Sequence, residues 1–269
     1  MNFHEKIRRD LIADLETEST DKVAQLNNSM RLLAKWRSIL IQNTVLQNEG
    51  TLILGGPFKG MQFLEQSSEG CHIAKLLGCY EQPLFQHIET AISSKFTTVL
   101  NIGCAEGYYA VGMARRMPSS EIFAFDTNEQ AQQTCQTLAV ANGVSDRIQI
   151  GGHFEPEHFD RFQDQQTLVL CDIEGAELEL LQPSQTKSLR HKFIIVESHE
   201  CLRPGLTETL ISRFEGTHYV TQVNDSGTRE IPYTPQWFNN LSHLDQLLAT
   251  WEWRSGPTPW LVMEPKSQY

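Results

Sequence analysis

The six cysteines of this 269-residue chain form no CxxC pair and no Cys-His cluster at zinc-site spacing, so neither a zinc ribbon nor a dithiol redox motif is encoded. Basic excess is missing too. The formal net charge is -11, whereas a general nucleic-acid binder presents a basic face to phosphates. The one basic cluster, Lys6, Arg8 and Arg9, is too short to change that expectation. No apolar run approaches the length of a bilayer span, and the opening "MNFHEKIRRDLIADLETEST" has no signal-peptide core. These absences predict a reduced, cytoplasmic protein with neither a membrane nor a nucleic acid as partner. Repeats and low-complexity tracts are absent as well.

The sequence predicts three parts: a helical extension over residues 1–50, a hairpin and helical cap over 51–94, and a larger domain over 95–269. In the first, Ser19 or Asp21 can cap a helix whose Val23, Leu26, Met30, Leu33 and Leu40 recur at three- and four-residue steps, flanked by Leu32 and Trp36. The simpler expectation is a helix packed on its own domain; the alternative is a helix that pairs with a second subunit as a homodimer. "TLILGGPFKGMQFL" predicts a hairpin from Thr51 to Leu64. Leu84, Phe85, Ile88 and Ile92 then share one helical face, after a break at Gly78.

From Thr97 onward apolar runs alternate with amphipathic ones. "TTVLNI" (97–102), "EIFAFD" (121–126), "RIQI" (147–150), "TLVLCD" (167–172) and "FIIVES" (193–198) read as strands with helices between, and "PWLVME" as a last strand. Such alternation predicts an α/β fold, a parallel sheet covered on both faces by helices. "VLNIGCAEGYYAVGMA" is a strand, a turn bracketed by Gly103 and Gly107, and a helix with unpaired N–H groups at its start. Nineteen residues beyond Gly107 the second strand ends in Asp126, a spacing suited to an acid that binds both hydroxyls of a ribose. Asp126 could also cap the helix opened by "DTNEQ". The turn G-C-A-E-G departs from G-x-G-x-x-G, and no tyrosine among Tyr80, Tyr108 and Tyr109 has a lysine four residues on. A nicotinamide-dependent oxidoreductase is thereby disfavoured, though it remains the alternative enzyme.

"NIGCAEGYYAVGMA", "AFDTN" and above all "CDIEGAE" resemble a class I S-adenosylmethionine-dependent methyltransferase, and more narrowly the FkbM-type family; "GPFKGM" and "LLGCYE" extend the resemblance over roughly residues 50–265. It implies a Rossmann-like, mostly parallel seven-stranded sheet with a late antiparallel strand, and S-adenosylmethionine as cofactor. It also implies methyl transfer to a hydroxyl of a small molecule, a sugar or secondary metabolite. Cofactor contacts would come from Gly103, Ala105, Glu106, Gly107 and Tyr108 around the methionine part, Asp126 on the ribose, Thr127 and Asn128 beside the adenosine, and His153 at the adenine. Tyr80 and Glu81 would fold over it. Asn101 stands where many such enzymes carry an acid, so any hold on the ammonium would be uncharged.

A hydroxyl acceptor must lose a proton, and the strand ends offer Asp172, Glu174, Glu197 and His199. Glu197 and His199 alternate in "VESHE", so both point to one side if the strand continues. The four could instead bind a divalent metal, a role not favoured without known geometry. Glu177 reads as a helix-start acid and Glu179 as a solvent-facing one. A non-catalytic protein that keeps the fold for binding or assembly is a further possibility, against which stand the intact acids Asp126, Asp172 and Glu197.

Overall fold

A computed structural model describes residues 2–65, 71–254 and 256–266. Ten α-helices are described: α1 (Phe3–Glu16), α2 (Lys22–Glu49), α3 (His72–Leu77), α4 (Phe85–Ser93), α5 (Tyr108–Arg116), α6 (Glu129–Ala141), α7 (Glu177–Leu180), α8 (Leu206–Phe214), α9 (Gln236–Asn239) and α10 (His243–Thr250). The strands are β1 (Thr98–Ile102), β2 (Glu121–Phe125), β3 (Ile148–Gly151), β4 (Thr167–Cys171), β5 (Phe193–Glu197), β6 (His218–Val223) and β7 (Trp260–Pro265).

They form one seven-stranded sheet in the order β3-β2-β1-β4-β5-β7-β6. The first five strands are parallel, and β7 runs antiparallel to both β5 and β6. This is the parallel sheet expected from the alternation of runs, completed by the late antiparallel strand that the family resemblance implied. The central strands β1, β4 and β5 are buried at every position, as continuous apolar runs require when helices cover both faces. One face packs on α4, α5 and α6 through Ile88, Val111, Met113 and Leu138. The other packs on α7 and α8 through Leu178, Leu206, Leu210 and Phe214. Strand order reverses between β1 and β4, and there the carboxyl ends of the strands open a crevice.

Thr51–Leu64 forms a short hairpin as expected: Leu52 bridges Gln62 in the antiparallel sense, with Ile53 N–H donating to the Met61 carbonyl at 3.0 Å and Phe63 N–H to the Thr51 carbonyl at 2.8 Å, around a turn containing Pro57. Two sequence expectations are corrected. The "HYVTQV" strand β6 was not anticipated: it is an edge strand, largely solvent-facing after His218, and lacks an apolar run. Most consequentially, Val23, Leu26, Met30 and Leu33 do not pack on their own domain. They are exposed, while α2 anchors through its other half, where Ile41 and Val45 are buried. Asp21 caps α2, its side chain accepting from Ala24 N–H at 2.9 Å.

Candidate functional site

The loop between β1 and α5 sets the site. Gly103 and Gly107 adopt positive φ of 79° and 93°. A Cβ on Gly103 would fall 1.6 Å from the Asp172 carbonyl oxygen, so only glycine lets the β1 and β4 ends approach. Ala105, at φ 46°, donates its N–H to Asp126 Oδ2 at 2.8 Å, and Asn128 N–H reaches Asp126 Oδ1 at 2.8 Å. Asn128, not Asp126, is the cap of α6. Asp126 therefore braces the loop from the end of β2 while its half-exposed carboxylate faces a cleft of about 450 Å³.

The cleft brings together Gly103, Ala105, Asp126, Thr127, Asn128, His153, Asp172 and Glu174, with Phe125 and Phe154 as apolar walls. Gly103, Ala105 and Asp172 also line a smaller chamber of about 30 Å³ that runs beneath the sheet between Asn101, Trp260, Tyr80 and Tyr109. Asn101 Oδ1 and Trp260 Nε1 are both buried with no hydrogen-bond partner among the described residues. A buried acceptor left unpaired is costly and marks a place where a donor from a ligand or water belongs.

Other sequence candidates have structural partners. Glu106 is fully buried and ion-paired with Lys75 at 2.6 Å, with the Lys75 ammonium over the Tyr80 ring at 4.8 Å. Tyr108 is buried in an aromatic cluster with Phe58, Phe63 and Tyr80. Glu81 sits in the left-handed region at φ 53° and binds the Tyr109 hydroxyl and Arg254. Arg254 gathers Glu81, Glu197, Asp225 and Glu252 around one guanidinium, and Arg229 pairs with the last two. Neither arginine was singled out in the sequence, because each acts across long separations and carries no local motif.

Burial pushes the Glu81 carboxyl up to about 8, with the neighbouring Glu197 adding to it and Arg254 opposing. A folded value above the ordinary 4.5 means that the folded protein holds a proton the unfolded chain releases. Its contribution is complete below the unfolded value and is lost as pH rises through the folded one. Thermal stability should accordingly fall between about pH 5 and about pH 9, and Glu81→Gln should flatten that fall. Equal slopes for the two proteins would show that Glu81 titrates normally.

At the β4 and β5 ends the structure converges on His199. Its Nδ1 lies 2.7 Å from Glu177 Oε1, and its Nε2 lies 3.5 Å from Asp172 Oδ1. Glu177 is fully buried; its Oε1 also accepts from Gly175 N–H at 3.1 Å. So Glu177, which sequence reading left as a helix acid, is the partner that orients the imidazole. A carboxylate only accepts, which places the proton on Nδ1 and leaves the Nε2 lone pair for chemistry. Burial lowers the His199 pKa, but the Glu177 hydrogen bond and the charges of Glu197, Glu177 and Glu174 raise it above its ordinary value on balance. Glu179 is exposed and pairs with Arg203 at 2.8 Å. Glu174, at φ 51°, is exposed on the cleft rim. Ligand atoms of Asp172, Glu197 and His199 lie within 4.8 Å of one another, a span a divalent ion could bridge, yet Glu197 Oε1 is already engaged by the Arg254 guanidinium. We assign no metal there.

No family model matches the chain. Over 135 residues it is 25% identical to a tRNA1(Val) (adenine(37)-N6)-methyltransferase of Vibrio campbellii, a match covering 48% of this chain and 56% of that protein. The chain thus spans about half the length of this curated relative. Among solved structures, the O-methyltransferase TomG of Streptomyces achromogenes, determined with SAM, superposes with a TM-score of 0.48 at 10% identity, over 99% of this chain and 100% of that one. A SAM-dependent O-methyltransferase of Thermotoga maritima does so with a TM-score of 0.41 at 9% identity, over 70% and 66%. Likenesses this distant add nothing to the strand order traced above. No described helix is long and apolar enough to cross a membrane.

Proposed function

We propose that the protein is an S-adenosylmethionine-dependent methyltransferase that methylates a hydroxyl oxygen of a small molecule, a sugar or secondary metabolite. One observation carries the reading: the β1–α5 glycine loop and the β2-terminal Asp126 brace each other and open onto one cleft at the strand-order reversal. The oxygen acceptor and the FkbM-type assignment rest on the sequence resemblance. The net charge of -11 favours a small acceptor over a nucleic acid such as the one named for the Vibrio relative.

The residues present fit the cofactor. The Asp126 carboxylate keeps acceptor capacity for ribose hydroxyls beyond its two backbone partners. Thr127, Asn128, His153 and Phe154 supply the wall for the adenine. Asn101 Oδ1, buried and unpaired, suits an ammonium donor. Bound there, S-adenosylmethionine supplies an electrophilic methyl group on a sulfonium.

The chain's own work is positioning, exclusion of water and removal of a proton. His199 Nε2 accepts the proton of the acceptor hydroxyl, and Glu177 steadies the imidazolium that results. Asp172 beside Nε2 orients the hydroxyl. Glu197, tied to Arg254, adds negative potential that favours the charged imidazole.

Asp126 gives the first test. Asp126→Ala should weaken S-adenosylhomocysteine binding by about 10- to 100-fold, the worth of charge-assisted hydrogen bonds. Asp126→Asn, which retains an acceptor for the loop, separates folding from binding. Unchanged affinity in folded Asp126→Ala protein would remove the ribose role.

A further inference from the structure

α1 packs against α2 antiparallel, His4 accepting from the Trp36 indole at 3.0 Å and Asp14 from the Ser29 hydroxyl at 2.6 Å, yet α1 buries no residue of its own. Short helices gain most of their stability from packing an apolar face, and here much of that face is bare. Eight of the thirteen exposed large hydrophobic side chains among the described residues lie on α1, α2 and α10. Four form one stripe along α2: Val23, Leu26, Met30 and Leu33, exposed by 69%, 61%, 61% and 41%. Leu244 and Leu247 add exposed apolar surface on α10, which is fixed to α2 by the Arg37–Asp245 pair at 2.6 Å.

Two features point to what covers the stripe. Its 3-4-3 spacing is symmetric about Asn28, as a helix pairing with itself across a two-fold axis requires. Charge is divided in the same sense. Residues 10–21 carry Asp10, Asp14, Glu16, Glu18 and Asp21 and no base, whereas residues 22–48 carry Lys22, Arg31, Lys35 and Arg37 and no acid. The exposed Asp21 and Lys35 stand at equal distances on either side of the symmetry point.

We propose that two copies of the chain pair through antiparallel α2 helices. In this register Val23 lies opposite the partner's Leu33, Leu26 opposite the partner's Met30, and Asp21 opposite the partner's Lys35. Within one helix Asp21 and Lys35 are about 21 Å apart, too far to interact, so any coupling between them reports the pairing.

Sedimentation velocity on the full chain over a micromolar concentration range tests this. The wild-type protein should be a dimer, and Leu26→Asp with Met30→Asp should give a folded monomer, since neither side chain supports its own subunit. Lys35→Glu should raise the dimer dissociation constant by about tenfold at low salt. Adding Asp21→Asn, which keeps the α2 cap, should recover most of that loss. A wild-type monomer, or a dimer indifferent to the Leu26 and Met30 changes, would overturn the interface. A Lys35→Glu dimer as tight as wild type, or no recovery with Asp21→Asn, would overturn the antiparallel register.

Discussion

Replacing Lys75 by Ala should cost about 3–5 kcal/mol of stability, because it takes the ammonium away from a fully buried Glu106 carboxylate. The Lys75 and Glu106 side chains are 1% and 0% exposed, and their 2.6 Å contact joins α3 to the glycine loop. Most of the expected loss is the cost of a buried carboxylate that has lost the Lys75 countercharge rather than the net worth of the pair. Changing Lys75 and Glu106 together to Met should therefore recover much of it, since a well-packed apolar pair often replaces a buried ion pair at little cost. Chemical denaturation of the two single variants and the double variant measures the coupling. Additive losses would mean that the two residues do not act as a pair. Because Glu106 lies in the loop that lines the cleft, Lys75→Ala should also loosen S-adenosylhomocysteine binding.

Gly103→Ala should be more damaging still at the site. The new Cβ would meet the Asp172 carbonyl at 1.6 Å, and the backbone there has a φ of 79° that alanine adopts with strain. Neither partner is a flexible side chain, so the β1 and β4 ends must separate. An expected loss of at least about 4 kcal/mol puts the change among the exceptional single substitutions. Displacing Asp172 and Ala105 would abolish adenosyl-ligand binding even in protein that still folds. Gly216→Ala is the matched control, with no atom within 4 Å of its Cβ and no positive φ, and it should be neutral or slightly stabilising. If Gly103→Ala unfolded at the same denaturant concentration as Gly216→Ala, the close approach of the two loops would be refuted.

Much of this fold was legible because burial in a parallel sheet leaves continuous apolar runs. β1, β2, β4 and β5 begin and end within a residue of the runs that announced them. Asp126 was legible for a related reason: a strand end and a ribose-binding spacing coincide in the chain. β6 was not, because a half-exposed edge strand needs no apolar run. Glu177 was hidden by its own sufficiency as a helix-start acid, since its partner His199 is 22 residues away. Arg254 was hidden more deeply, joining Glu197 and Glu81 across separations of 57 and 173 residues. The stripe on α2 was seen, but periodicity reports only that a face is apolar, not what it meets. Here the face is open, and that exposure is what supports the proposed pairing with a second subunit.

Identification of the enzyme class turns on which dinucleotide or adenosyl ligand the cleft accepts. The most direct measurement is thermal unfolding of the wild-type protein alone, with S-adenosylhomocysteine and with NAD. At a hundredfold excess over its dissociation constant a ligand stabilises by about 2.7 kcal/mol, a shift of several degrees for a chain of this size. The methyltransferase reading expects that shift with S-adenosylhomocysteine and none with NAD. A shift with NAD alongside no response to S-adenosylhomocysteine would contradict it.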